Sequence, residues 1–198
     1  MHRWTDRNLT LLELSAALLL IALFIGIFAR HMLIIFARAE STLVNATVIN
    51  INSSLNYHAM FAVINKDTEK LSALESMNAM SMVRAPLTET GTSEHGFNEF
   101  LNQQFHNWMP GNYIGELEAP DPDLIPGGKW YFDVPENTLV YMVNNPEYFY
   151  SELEGPPRIR FQARVEYKDV NADGIFDPAI DKFQAVKLES LEQYEWRF

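Results

Sequence analysis

A run of 21 residues near the start of the chain, Leu9 to Ala29 (LTLLELSAALLLIALFIGIFA), limits what this sequence can fold into. A helix of about 20 apolar residues crosses the hydrocarbon core of a bilayer, so the run is long enough to span. Leu, Ala and Ile dominate it, which suits a helix. It carries one charged residue, Glu13, at its fifth position. A charge at a helix centre in the bilayer costs on the order of 2.5–3.5 kcal/mol; one turn from the helix start the cost is smaller, and the carboxylate can snorkel to the headgroups. A cleavable secretory signal is the rival reading, but its apolar region is about 7–15 residues and ends at a small-residue cleavage site. Here Arg30-His31 leads directly into a second apolar patch, Met32–Ala37, which favours a retained helix. Residues 1–8 (MHRWTDRN) hold Arg3 and Arg7 and read as a cytoplasmic leader. The rest of the chain is then expected beyond an inner membrane, in the periplasm.

Apolar periodicity continues past the span. Val44, Val48, Ile51, Leu55, Ala59 and Ala62 recur at spacings of 4, 3, 4, 4 and 3. That predicts an amphipathic helix over 30–64, with Asn45, Asn50, Asn52, Ser53 and Asn56 mostly on the other side. Val44, Thr47, Val48, Ile49 and Ile51 are β-branched and weaken local helix propensity, so packing has to hold this stretch.

Residues 65–198 read as one globular α+β domain. Asp67 is placed to N-cap a helix over Thr68–Val83 carrying Leu71, Leu74, Met77, Met80 and Met82. The methionines fit core filling, or an adaptable partner surface. Pro86 ends this helix, and residues 86–96 (PLTETGTSEHG) are a polar loop. Phe97, Phe100, Leu101, Phe105 and Trp108 then recur at helical spacing up to Pro110-Gly111. Strands follow. Asn112–Glu118 is short; Lys129–Val134 and Thr138–Asn144 flank Pro135-Glu136-Asn137 as a hairpin. Arg158–Tyr167 alternates most clearly, with Ile159, Phe161, Ala163, Val165 and Tyr167 on one face, and Lys182–Leu191 is placed to return beside it. Tyr194, Trp196 and Phe198 extend an alternating pattern to the C-terminus. The expected architecture is a long N-terminal helix, transmembrane and then amphipathic, packed on a small antiparallel sheet.

The order of these parts resembles the type IV pilin and type II pseudopilin family. Leu9-Thr10-Leu11-Leu12-Glu13-Leu14 looks like the family's aromatic-Thr-Leu-Ile/Leu-Glu-Leu start, and Lys129-Trp130-Tyr131-Phe132-Asp133 looks like the pseudopilin sheet. The overall layout also resembles the mannose-sensitive haemagglutinin (MSHA) pilus biogenesis proteins. The resemblance implies that Leu9 begins the mature subunit and that Glu13 is the membrane glutamate. In the family that glutamate meets the N-terminal amine of a neighbouring subunit during assembly. It further implies that the partners are other pilin or pseudopilin subunits and inner-membrane assembly proteins. The junction departs from the family: Asn8 stands where the family has glycine before the cleavage point, and Leu9 replaces the common phenylalanine. Glycine there lets the peptidase approach the backbone closely. An uncut chain would lack the amine that Glu13 needs.

Asp169-Val170-Asn171-Ala172-Asp173-Gly174-Ile175-Phe176-Asp177 matches D-x-[DN]-x-[DN]-G with a further acid at position nine. Calcium takes six to eight oxygens, which such an alternation supplies. The expected ligands are Asp169, Asn171, Asp173, the Ile175 carbonyl, Asp177 and Asp181, with Phe176 turned to the core. Position twelve is Ile180 rather than glutamate, and strand precedes the loop, so this is not a full EF-hand. An Asp-Gly-rich turn on an acidic surface is the other reading. Some pseudopilins bind calcium in a C-terminal loop, so the resemblance also implies calcium.

Residues 39–198 hold 11 Lys and Arg against 24 Asp and Glu, a net −13. That argues against nucleic acid, whose binding needs cations to release counterions. The five histidines, His2, His31, His58, His95 and His106, have no HxH or HxxxH spacing, and the chain has no cysteine. GxSxG, P-loop and dinucleotide glycine patterns are absent from the sequence, and pairs such as Asp121/Asp123 and Glu152/Glu154 lie in loop-like sequence. A non-enzymatic assembly protein without a small-molecule substrate is therefore expected. An unprocessed single-pass scaffold and an anchored calcium-binding module unrelated to pili are the competing readings.

Overall fold

The structure, a computed structural model, describes residues 11–84 and 109–198. Helix α1 runs unbroken over Leu11–Asn65. Its two halves have opposite environments. From Leu11 to Phe36 the large apolar side chains stand exposed, apart from the half-buried Met32 and Ile34. An apolar helix left bare in this way is compatible with a single membrane span. From Ala37 onward one stripe is buried: Ala37, Glu40, Val44, Thr47, Ile51, Ser54, Leu55, Ala59 and Ala62. The expected period is observed, extended upstream by a glutamate.

Helix α1 closes at Lys66, which takes the left-handed φ of 55°. The Asp67 N–H reaches back to the Ala62 carbonyl at 2.8 Å, so the last turn is satisfied without glycine. Asp67 then caps α2 (Thr68–Ala73), its carboxylate accepting from the Lys70 N–H at 3.0 Å. The continuous helix expected over Thr68–Val83 is instead two. It breaks before Asn78, whose side chain caps α3 (Ala79–Arg84) by accepting from the Met80 N–H at 2.9 Å. The same amide donates to Glu116 and to the Tyr113 hydroxyl, and these bonds hold the break. Leu71, Leu74, Met80, Met82 and Val83 are buried, so most of this methionine-rich segment fills core. The polar loop over 86–96 and the aromatic repeat Phe97, Phe100, Leu101, Phe105 and Trp108 lie outside the described residues.

Among the described residues seven strands follow: β1 (Tyr113–Leu117), β2 (Trp130–Asp133), β3 (Thr138–Met142), β4 (Phe149–Ser151), β5 (Arg158–Lys168), β6 (Lys182–Ser190) and β7 (Tyr194–Trp196). The main sheet has the order β1-β2-β3-β5-β6. Its β2–β3, β3–β5 and β5–β6 pairs are antiparallel as expected, but β1 lies parallel to β2, so the sheet is mixed. The cause is residues 118–129, a proline-rich connection long enough for a crossover and unsuited to a tight hairpin. It lays Ile125 on the back of the sheet against Tyr131, Val140 and Met142. At its end Gly127 passes β3 so closely that a Cβ would stand 2.7 Å from the Val143 carbonyl oxygen.

The front of the sheet meets α1. Trp130, Phe132, Leu139, Tyr141, Ile159, Phe161, Ala163 and Val165 pack with Ile51, Leu55 and Ala59 in one core. The alternation of β5 therefore faces the core as read. Tyr194 to Trp196 does not continue β6. It pairs with β4, a strand whose partner is distant in sequence, as a separate two-stranded sheet.

Candidate functional site

Glu13 lies in the first turn of α1 as described, on the exposed apolar half of the helix. Asn8 and Leu9, the expected processing junction, lie outside the described residues.

The joint between the bare half of α1 and the domain is built on Glu40, which is only 7% exposed. Its Oε1 accepts from the Tyr141 hydroxyl at 2.8 Å and the Asn144 N–H at 2.6 Å. Its Oε2 accepts from the Asn145 N–H at 3.0 Å and the Asn145 side-chain amide. A buried carboxylate is tolerated when its lone pairs are filled in this way. Burial, followed by the hydrogen bond to Glu40 and its negative charge, raises the Tyr141 phenol far above its ordinary value. The pattern of apolar residues missed Glu40 because a glutamate reads as surface. Its place one turn before Val44, on the same stripe, was the available signal.

Two helix asparagines also leave their expected side. Asn56 holds the Val186 backbone at both ends, donating to its carbonyl at 2.7 Å and accepting its N–H at 3.0 Å. Asn52 accepts the Leu188 N–H at 2.6 Å. Strand β6 is an edge of the main sheet, and these amides satisfy its outward backbone groups. His58 donates from Nε2 to the Met82 carbonyl at 2.9 Å; burial lowers its pKa, that hydrogen bond opposes the shift, and the charge of Lys70 adds a smaller lowering.

The acidic loop folds on its own backbone. Asp169 accepts from the Ala172 and Gly174 N–H groups, and Asp173 from that of Ile175. Asn171 accepts from the Asp173 N–H and donates to the Asp173 carboxylate. Asp177 accepts from the Ala179 N–H. Asp181 is buried and ties both ends, accepting from Val170 at 2.9 Å and Asp177 at 2.8 Å. Ala172 and Gly174 take φ of 59° and 74° to make these turns. Phe176 packs against Tyr167 as expected, at 5.1 Å between ring centroids, while the Ile175 side chain is exposed. Among the described residues no three His, Cys, Asp or Glu side chains converge on one point as metal ligands. The expected calcium residues thus lie along one hydrogen-bonded loop, and their carboxylates do not meet as a preformed cage.

No family model, curated protein or solved structure matches the chain.

Of the remaining candidates, Asp121 accepts the Asp123 N–H at 3.0 Å in an exposed turn. Glu152 and Glu154 are also exposed. His31 is exposed on α1, and His2, His95 and His106 lie outside the described residues. The described parts bring together an exposed apolar helix compatible with a membrane span, a buried carboxylate joint and a hydrogen-bonded sheet edge.

Proposed function

We propose that this chain is a minor pilin-like protein that acts, without enzymatic chemistry, in assembly of a type IV pilus of the MSHA kind or of a secretion pseudopilus. One observation carries the reading. Helix α1 is continuous from a largely exposed apolar half into a half packed on the front of a sheet. Such a helix holds its domain at a set distance from the membrane. Its bare half has two apolar environments available, lipid and the helices of neighbouring subunits. Glu13 supplies the register: paired with the ammonium released at Leu9 of a neighbour, its charge would be compensated and the axial offset between the helices fixed. The partners are other pilin or pseudopilin subunits and inner-membrane assembly proteins. The domain stands in the periplasm and residues 1–8 in the cytoplasm.

Asn8 favours a second reading, an uncut single-pass scaffold beside the assembly machine. Mass spectrometry of N-terminal peptides from membrane-extracted protein separates the two. A peptide starting at Leu9 supports the subunit; a peptide running through Asn8-Leu9 supports the scaffold. Glu13→Leu is expected to abolish the pilus-dependent phenotype at normal protein level, and an unchanged phenotype removes the assembly role. Calcium belongs to the same proposal as a stabiliser of the 169–181 loop, supported by the ligand pattern and by the closure of the loop on Asp181.

A further inference from the structure

We propose that the β4–β7 sheet is a second membrane contact, resting on the phospholipid headgroup layer beside the point where α1 emerges. The inference goes beyond pilus assembly, and it rests on the reading that the bare half of α1 spans a membrane.

Ala37 is the first fully buried residue of α1, so the domain begins at that level. There the Arg38 guanidinium lies over the Phe198 ring, 5.4 Å from its centroid. Trp196 stacks on Phe198 with an interplanar angle of 10°. On the other face of the strand pair the Arg197 guanidinium, ion-paired with Glu195 at 2.8 Å, sits 4.2 Å from the centroid of Tyr150. Tyr150 is 46% exposed and Phe198 50%. Side chains on a helix lean toward its N-terminus, so Arg38 reaches back toward the span and Phe198 lies with it.

The axial register fits. The exposed apolar stretch described runs from Leu11 to Phe36, and a span placed in it at Leu14–Leu33, five residues later than the start of the Leu9–Ala29 run, is about 30 Å long and leaves Glu13 at one boundary. Arg30 then lies within a side chain's length of the other boundary, where it can snorkel. Arg38 follows about 7.5 Å beyond the hydrocarbon, and the headgroup layer is roughly 5–8 Å thick on each side. That layer is where amphipathic aromatic rings collect and where guanidinium groups meet phosphate. The net −13 of residues 39–198 opposes general attraction to anionic lipid. The contact is therefore local to Arg38 with Trp196 and Phe198, and zwitterionic headgroups suit it.

The chain lacks cysteine, so single introduced cysteines can carry spin labels in the full-length protein. Labels at Glu195→Cys, Gly26→Cys and Glu69→Cys are compared in phosphatidylcholine vesicles at low protein density, with nickel chelated to a fraction of the headgroups. Glu69 lies just past the end of α1, about 40 Å beyond Arg38. The label at 195 should be broadened severalfold more than that at 69. The broadening should fall to the level at 69 when Phe198→Ser and Arg38→Gln are added, with circular dichroism unchanged. The label at 26 should be shielded from a water-soluble nickel chelate. Equal broadening at 195 and 69, with 26 still shielded, overturns the headgroup contact and leaves the span standing. A label at 26 open to water overturns both. Broadening at 195 that follows protein density rather than nickel-lipid content assigns the patch to a second copy of the chain and also overturns the proposal.

Discussion

Glu40 ties α1 to Tyr141, Asn144 and Asn145, about a hundred positions away in sequence. Hydrogen bonds to a charged group contribute about 1.5–3 kcal/mol, and a buried donor left unmet costs a similar amount. Glu40→Gln turns one acceptor into a donor facing N–H and O–H groups. We expect it to lower unfolding free energy by about 1.5–3 kcal/mol in urea titration, more than an exposed change such as Glu189→Gln. Tyr141 adds a pH dependence. Its phenol holds its proton more tightly folded than unfolded, so its contribution is complete below the ordinary value of 10.0 and is lost as pH rises above it. Stability should fall with pH in that range, and Tyr141→Phe should flatten the fall. His58 has the opposite sign. Its folded pKa is lowered from 6.5, so its contribution is present above that value and is lost as pH falls. An acid-side melting series on His58→Gln should show a shallower decline than the parent. None of these partners was legible in sequence. A glutamate, an asparagine and a histidine on a helix read as solvent-facing until the strands that meet them are in place.

At the scale of elements, α1 and β5 were the most legible, because long periodic stretches repeat one signal many times. The expected β2–β3 hairpin and the return of β6 beside β5 are also observed, whereas the β3–β5 pair that joins them came only with the fold. The β1–β2 pair did not, because a short strand fits either direction and the 118–129 crossover decides it. Strand β4 was missed for a related reason: three residues carry little pattern, and their partner β7 comes from the C-terminus. Edge protection belongs to this scale too. Asn56→Ala removes both bonds to Val186 and opens the outer edge of β6. We expect a loss of about 1–3 kcal/mol, together with concentration-dependent aggregation in light scattering. For the 169–181 loop, calcium should raise the melting temperature and Asp173→Ala should remove that rise. Identical melting in calcium and in chelator would mean that the loop's own hydrogen bonds suffice.

Across the whole molecule, the sequence alone determined that a bilayer-length apolar helix continues into an amphipathic one and leads to an acidic α+β domain. These properties follow from composition and period, which act locally and need no partner. It also singled out Glu13, Asn8 and the Asp169 loop, the residues on which the proposed function rests. Tertiary structure placed Glu40 on the buried stripe and turned the half-buried Asn52 and Asn56 against strand β6. It decided that the last strand leaves β6 for β4 and brings Phe198 beneath Arg38. Those outcomes depend on polar groups that are costly to bury alone and cheap once paired. Their partners come from distant parts of the chain, so only the assembled fold could reveal them.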